Sequence, residues 1–285
     1  MKIYNVAGYL IVLAHALLSA LLAPPGWGPL LAAGVGLLYL LLIWFFGGLY
    51  LSDIIHMGIA HRALDYRPGF VKLVTLGYNV AGIYINPKTW VNRHRHHHAH
   101  SDGPGDPNKL AGDGFWKTMY LTVFPYPCQS ELTRDPVFAS RTFRLVSNPY
   151  FAVFSQPSSY GLLWLVVGDW KYALFLWSSV RVFALYINMI QNYWTHDRRW
   201  GTRRYDDEDD NAMNIGDWLP VTLSFSASLQ NNHHHHDRFL RLSHDEGEYD
   251  FGFLTVRVMR GLGLVRPSPT GAQKPAGIPL REIGL

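Results

Sequence analysis

Residues 29–61 read PLLAAGVGLLYLLLIWFFGGLYLSDIIHMGIAH. The part from Pro29 to Leu51 carries no charged residue and is long enough to cross the roughly 30 Å hydrocarbon core of a bilayer. Two histidines, His56 and His61, follow at its end. A span that leads directly into potential metal ligands predicts a membrane protein whose chemistry lies close to one face of the bilayer.

Two further apolar regions flank this span. Val6–Ala23 contains His15 as its only strongly polar residue, and a short Pro/Gly linker follows it. A signal peptide is the rival interpretation, but Lys2 is the only basic residue before the region, and a second apolar run follows at once. Phe151–Asn192 is interrupted at 168–171 by GDWK, which divides it into two. We therefore predict four transmembrane helices, at about 4–23, 29–54, 150–168 and 171–194.

The predicted fold class is an all-α integral membrane protein, in which four transmembrane helices carry a cytoplasmic helical cap with the histidine clusters. One domain is expected to cover 1–266, with the cap formed by 55–149 and 195–266. The Pro/Gly-rich end, 267–285, is predicted to be a flexible tail.

Basic residues predict the orientation. The linker Pro24–Gly28 has none and the break at 168–171 has one, whereas the remaining connections carry many. The positive-inside rule then places both termini and every histidine cluster in the cytoplasm, as in a bacterial inner membrane. The net charge of +4 fits such basic loops and does not indicate nucleic acid as a partner.

Histidine dominates the polar segments. The chain has fourteen histidines and one cysteine, Cys128, which excludes an internal disulfide or a CxxC redox pair. The first pair, His56 and His61, is spaced by five residues. This spacing turns by about 140° on a regular helix, so the two imidazoles converge only if the helix ends or bends between them.

Two later clusters share one helical spacing. His94, His97 and His98 fall at i, i+3 and i+4, and Gln230, His233 and His234 repeat that pattern. Asn192 and His196 form an i, i+4 pair at the inner end of the last span. A loosely metal-binding or merely solvated histidine tract is the alternative for one cluster, but repeated clusters on one side of the membrane favour a built metal site.

The number of candidate ligands exceeds what one metal uses, since a structural zinc takes about four. Imidazole favours iron over calcium or magnesium, which prefer oxygen ligands. Soluble di-iron bundles use Glu-x-x-His pairs, and this chain has none. The residues therefore predict an imidazole-rich di-iron centre that activates dioxygen.

The motifs occur in the order HxxxxH (56–61), HxxHH (94–98), NxxxH (192–196) and QxxHH (230–234). This order resembles the membrane fatty acyl desaturases, particularly the acyl-CoA (stearoyl-type) branch and its bacterial relatives, over about 51–264. Gln230 stands where this branch usually has histidine, as it does in front-end desaturases. The ligands that the resemblance implies are His56, His61, His94, His97, His98, His196, His233, His234, Gln230 as a weaker ligand, and Asn192 through a metal-bound water.

The resemblance also implies the reaction and its partners. Two iron ions and dioxygen would place a double bond in a fatty acyl chain linked to CoA, carrier protein or membrane lipid. Because the chain has no flavin, haem or iron–sulfur motif, an external donor such as ferredoxin or a haem cytochrome with its reductase would supply electrons. Trp90 and Arg181 are candidate substrate-binding residues, and the rival role of Arg181 is a pair with a carboxylate inside the bundle.

Other assignments stay open. The same site would serve a hydroxylase or a terminal-alkene-forming oxidase, and box spacing does not separate these. A histidine-rich membrane metal transporter is the alternative of another class, but it would need metal-binding residues along the spans. Asp102, Asp106, Asp197 and Asp237 are candidate acceptors for the second nitrogens of the ligand histidines. The basic run at 198–204 is a candidate docking site for an acidic electron carrier or a contact with phospholipid headgroups.

Overall fold

The computed structural model describes residues 1–108, 114–206, 210–273, 275 and 278. Helices dominate these residues, with one two-stranded antiparallel sheet that joins Leu64–Tyr66 (β1) to Val265–Pro267 (β2). The α-helices, in chain order, are α1 Ile3–Leu21, α2 Pro29–Gly48, α3 Pro68–Ala81, α4 Pro87–His100, α5 Phe115–Val123, α6 Arg141–Val146, α7 Phe151–Val167, α8 Trp170–Asn192, α9 Trp218–Leu223, α10 Gln230–His235, α11 Phe251–Gly261 and α12 Pro269–Ala272.

Three helices in the described part of the chain are long and apolar enough to cross a membrane. They comprise Ile3–Leu21, Pro29–Ala60 and Trp170–His196, close to three of the four predicted spans. The fourth prediction, 150–168, corresponds to α7, which is apolar but has only 17 residues. The helix is present as expected, but its length alone does not make it a candidate span.

The second span differs from its prediction at the inner end. Instead of ending near 54, the helix continues from Gly48 as a π-helix over Leu49–Ala60. Gly48 lies at the junction, where a Cβ would overlap the ring of Phe225. The glycine therefore allows the cap to pack directly against the start of the π-helical segment.

The part of the chain predicted to form the cap packs against the C-terminal end of α2. The ring of Trp44 on α2 packs against Phe225 and Phe251 of the cap, with centroids 5.5 and 5.7 Å away. Phe225 and Ser226 have φ values of 53° and 68°, so the chain reverses in a left-handed turn just before α10. That turn directs the QxxHH motif back toward the spans.

The described residues are predominantly helical, in keeping with the predicted all-α class, and the short pairing of β1 with β2 is an addition to it. The predicted flexible tail is packed at its start: Ser268 donates through Oγ to the carbonyl of Arg62 at 2.8 Å, and Gly271 lies against the backbone of Ala63. Most of the rest of the predicted tail, 274, 276, 277 and 279–285, lies outside the described residues.

Candidate metal centre

Five histidines from three segments, the π-helix, α4 and α10, converge in one buried group. All five ligand nitrogens lie within 4.8 Å of one another. The Nε2 atoms of His61 and His94 are 2.8 Å apart, and Nε2 of His233 lies 2.9 Å from that of His56 and 3.2 Å from that of His98. This group contains His56, His61, His94, His98 and His233.

The π-helix explains how the first pair converges. The amide of His61 donates to the carbonyl of His56 at 3.0 Å, which is the i→i+5 bond of a π-helix. In this geometry, residues five apart lie roughly one turn above each other rather than on different faces. The ring centroids of His56 and His61 are 4.8 Å apart, so the bend expected from the spacing takes the form of a wider helix.

A second group consists of His97, His196 and His234, whose ligand nitrogens also lie within 4.8 Å of one another. His97 and His98 are neighbours on α4 yet belong to different groups, with ring centroids 5.7 Å apart. The same holds for His233 and His234, at 5.8 Å. Adjacent histidines thus connect the two groups, and all eight histidines implied by the motifs fall into one or the other.

Carboxylates fix the ring orientation of four of these histidines. Nδ1–H of His97 donates to Asp106 at 2.8 Å, and that of His196 donates to Asp102 at 2.9 Å. Because Nδ1 carries the proton, Nε2 presents its lone pair to the site. The remaining two such pairs are His61 with Asp237 at 3.2 Å and His234 with Asp210 at 2.9 Å.

Burial favours the neutral form in the five-histidine group and at His234, whereas Asp102 raises the pKa of His196 against the effect of burial. Loss of solvent, reinforced by neighbouring imidazoles, lowers the pKa of His94, His98 and His233 well below the usual value. Burial also lowers the pKa of His234 to about 4, although Asp210 acts in the opposite direction. Burial alone would raise the pKa of Asp102, but His196 lowers it to about 2. Neutral imidazoles backed by ionised carboxylates are ready to bind a metal at neutral pH.

Unpartnered nitrogens show that these groups fit metal ions. Nε2 of His196 is buried and has no hydrogen-bond partner among the described residues, and Nε2 of His233 faces the Nε2 atoms of His56 and His98. Several neutral nitrogens directed at one point do not satisfy one another, and leaving buried polar atoms unpaired costs about 1–3 kcal/mol each. A cation at the centre of each group removes this cost. The all-nitrogen donor set suits iron, zinc or copper better than magnesium or calcium.

Asn192 and Gln230 lie beside the histidines. Both line a small polar cavity of about 50 Å³, together with His56, His94 and His97. Nδ2 of Asn192 donates to Oγ1 of Thr122 at 2.9 Å, which holds the amide. The amide nitrogen of Gln230 lies 2.8 Å from Nε2 of His234, so both residues lie next to candidate ligand histidines.

The two predicted substrate residues lie at different distances from the histidines. Trp90 stacks on His94, with ring centroids 4.8 Å apart and planes 13° apart. Arg181, in contrast, lines a larger apolar cavity whose lining residues include no histidine. Among the described residues no carboxylate pairs with it. Its guanidinium instead donates to the side chain of Gln156 and the carbonyl of Trp177, which corrects the alternative of an intramembrane ion pair.

Two predictions about polar partners change with the structure. Asp197 pairs with Arg199 at 2.5 Å rather than with a histidine, and Asp210 takes the role instead. Asp210 ends the acidic run 206–210, and nothing in that run distinguishes it from its neighbours. The arginines of the basic run 198–204 are bonded within the chain, as Arg199 and Arg204 show with Asp197 and Asp245, so the run is not an unpaired basic surface.

Comparison with known proteins agrees with this geometry. A family model described as "Fatty acid desaturase" matches residues 25–239. The chain is 28% identical over 240 residues to an sn-1 stearoyl-lipid 9-desaturase of Anabaena variabilis, covering 82% of each chain. It is 26% identical to an sn-2 palmitoyl-lipid 9-desaturase of Nostoc sp. (strain 36), covering 82% of this chain and 81% of the relative.

A third relative performs a different reaction, according to its name. It is the hex-5-enoyl-[acyl-carrier protein] acetylenase of Moorena producens (strain JHB), 29% identical over 262 residues, which cover 84% of this chain and 78% of the relative. The matched family region, 25–239, contains every motif from the first histidine pair to the last. The chain therefore belongs to the fatty acid desaturase family and is an oxidoreductase.

Proposed function

We propose that this enzyme introduces a double bond into the acyl chain of a membrane lipid, with two iron ions held by the two histidine groups. The observation that carries the proposal is an apolar cavity of about 400 Å³ that continues into the histidine site. Its size lies within the usual range of ligand pockets. The residues that line both this cavity and the small polar one are Leu51, Ser52, Trp90, Arg93, Asn188 and Gln191.

The walls of the cavity suit a hydrocarbon chain. They come mainly from α2, the π-helix, α8 and the connection between α3 and α4. Side chains such as Leu40, Ile43, Phe183 and Ile187 offer no hydrogen bond to a substrate, so they hold a chain by exclusion of water and shape alone. Trp90 stands at the junction and stacks on His94, which orients a candidate ligand at the point where a chain would meet the site.

The roles of the chain's residues follow from these contacts. The first group would hold one iron and His97, His196 and His234 the other, with Gln230 or a water held by Asn192 completing the coordination. A half-turn of the Gln230 amide would present its oxygen instead of its nitrogen at the position beside His234. When bound, the iron pair supplies the oxidising power for C–H cleavage with dioxygen.

The overall reaction balances with an external donor. Two hydrogen atoms leave adjacent methylene groups as the double bond forms, and dioxygen is reduced to two waters. The two C–H bonds broken in the acyl substrate supply two of the four electrons that the reduction of dioxygen requires. The other two electrons are delivered one at a time by a separate carrier such as a ferredoxin or a haem cytochrome, and the two protons come from water.

The relatives support a lipid-linked substrate. Two of them are named for stearoyl-lipid and palmitoyl-lipid substrates, while the acetylenase is named for an acyl-carrier-protein substrate. Related sequences thus include both a desaturase and an acetylenase, so similar residues serve reactions that give different products. Hydroxylation and terminal-alkene formation therefore remain the alternatives that the product must exclude.

Analysis of cellular lipids tests the proposal. Expression of the chain with a ferredoxin and its reductase should yield monounsaturated acyl groups within intact glycerolipids, which mass spectrometry after ozonolysis would locate. Unsaturated acyl groups found on acyl-carrier protein, with none in glycerolipids, would show that the substrate is linked to carrier protein instead of membrane lipid. Hydroxylated products alone would overturn desaturation.

We further propose that α7 crosses the membrane, so that four crossings place both termini and the site in the cytoplasm. The ends of the second span and of α8 lie at one site, because His56 and His196 belong to groups that adjoin. Both spans therefore run in the same direction, and the chain between them has to return across the bilayer. α7, at 17 residues, is at the lower limit for a span and packs against α8.

Cys128 provides a test of this topology. A membrane-impermeant maleimide should leave it unlabelled in intact cells and label it in inverted vesicles. Because burial raises the pKa of the thiol, the reaction will be slow, and a denatured sample gives the maximum. Pro25→Cys in a Cys128→Ser background is the matched control, since Pro25 is exposed in the linker predicted to face outside. Labelling of Cys128 from outside would invert the topology.

A further inference from the structure

Arg181 is a cation within a membrane-spanning helix, and three contacts hold it. Its guanidinium lies 3.4 Å over the ring of Trp177, one turn earlier on α8. It donates to the carbonyl of Trp177 and to Oε1 of Gln156 on α7. Such a stacked and hydrogen-bonded guanidinium has little freedom to move.

Arg181 also forms part of the wall of the apolar cavity. Along α8 the lining residues extend from Gln191 and Asn188, which adjoin the histidines, to Arg181 and Val180. On α2 they begin at Leu40. Arg181 therefore lies at the end of the cavity that is farthest from the metal groups.

The distance along α8 gives the length of this cavity. Arg181 precedes Asn188 by seven residues and Gln191 by ten, which corresponds to about 10–15 Å at the rise of an α-helix. An extended chain advances roughly 1.2 Å per single bond, as an extended polypeptide does over three bonds per residue. The cavity thus accepts roughly nine to thirteen bonds between the reacting carbons and Arg181.

We propose that Arg181, hydrogen-bonded to Gln156 on α7, closes the end of the cavity where the methyl end of the acyl chain binds. It would thereby set the number of carbons between that end and the new double bond. A methyl group gains nothing by displacing a hydrogen-bonded guanidinium, because that would leave buried donors unpaired. The inference rests on the proposed function and assigns a specificity-determining residue to it.

Two variants should shift selectivity in opposite directions. Arg181→Ala opens that end of the cavity and should extend the preference to chains with more carbons beyond the double bond. Ala184→Phe fills the cavity about one turn nearer the histidines and should favour chains with fewer carbons beyond the double bond. Because one methylene in an apolar pocket changes selectivity by about tenfold or more, the ratio of products should change by at least that factor. Val182→Ala, at an exposed position on the same helix, is the control that should keep the wild-type ratio.

The assay supplies cells with a series of saturated fatty acids that differ by two carbons, and records the position of the double bond and the iron content of each purified variant. Opposite shifts with unchanged iron would support the role, since general damage lowers every product together. Wild-type ratios in both Arg181→Ala and Ala184→Phe would overturn it. If the wild-type chain forms no unsaturated lipid, the proposed function fails and the inference fails with it.

Discussion

His233→Ala is expected to abolish desaturation while the protein still inserts in the membrane. Nε2 of His233 lies within 3.2 Å of the corresponding nitrogens of both His56 and His98, and the side chain is fully buried. Its loss removes a donor from the centre of the five-histidine group and leaves a space in its place. Since loss of a residue that merely orients a ligand costs 10–100-fold, loss of the ligand itself should reduce turnover by more than about 100-fold.

Metal content and activity measured together test this expectation. The purified wild-type protein should hold close to two irons per chain, and His233→Ala clearly fewer. His235→Ala is the matched control, because His235 lies on the same short helix but belongs to neither metal group. Wild-type activity in His233→Ala would show that the motif has been misassigned, and a single zinc without iron in the wild type would overturn the di-iron centre.

The second large effect is expected from Asp102→Asn. Oδ2 of Asp102 accepts from Nδ1 of His196 at 2.9 Å and from the backbone amide of Asn211 at 3.0 Å, whereas Oδ1 is buried with no partner in the described part of the chain. Asparagine can keep its oxygen toward His196 and place its NH₂ at the unpartnered position. It also suits the backbone, since φ is 59° at this residue and asparagine tolerates that region well. The substitution therefore removes the charge with little change in shape.

Loss of the carboxylate charge makes the imidazole of His196 a weaker donor to metal. We expect the affinity for iron at the three-histidine group to fall by about 10–100-fold, measured by competition with a chelator. Asp197→Asn is the control, because Asp197 pairs with Arg199 at the surface. Equal iron retention in Asp102→Asn and Asp197→Asn would show that Asp102 does not tune the metal site.

Local patterns allowed much of the fold to be predicted. The spans at 29–54 and 171–194 were identified from unbroken apolar stretches, whose length is set by the bilayer itself. The placement of His94 and His98 in one group follows from helical periodicity, which depends only on backbone geometry. These features require no knowledge of distant parts of the chain.

Where local geometry was irregular, prediction reached only part of the answer. The spacing of His56 and His61 indicated a bend, but a π-helix produces the convergence. The tail illustrates the same point, since composition alone indicated flexibility. Pairing with β1 and the contact of Ser268 with Arg62 hold its beginning in place.

The sequence by itself determined the family, the motifs and the candidate ligands, because each motif is read within one short segment. Only the tertiary structure decided how those ligands divide into groups of five and three. His56 and His233 are 177 residues apart, and neighbours such as His97 and His98 belong to different groups. The choice of Asp210 over Asp197, and of Gln156 as the partner of Arg181, was likewise decided by packing between distant segments, which local periodicity does not encode.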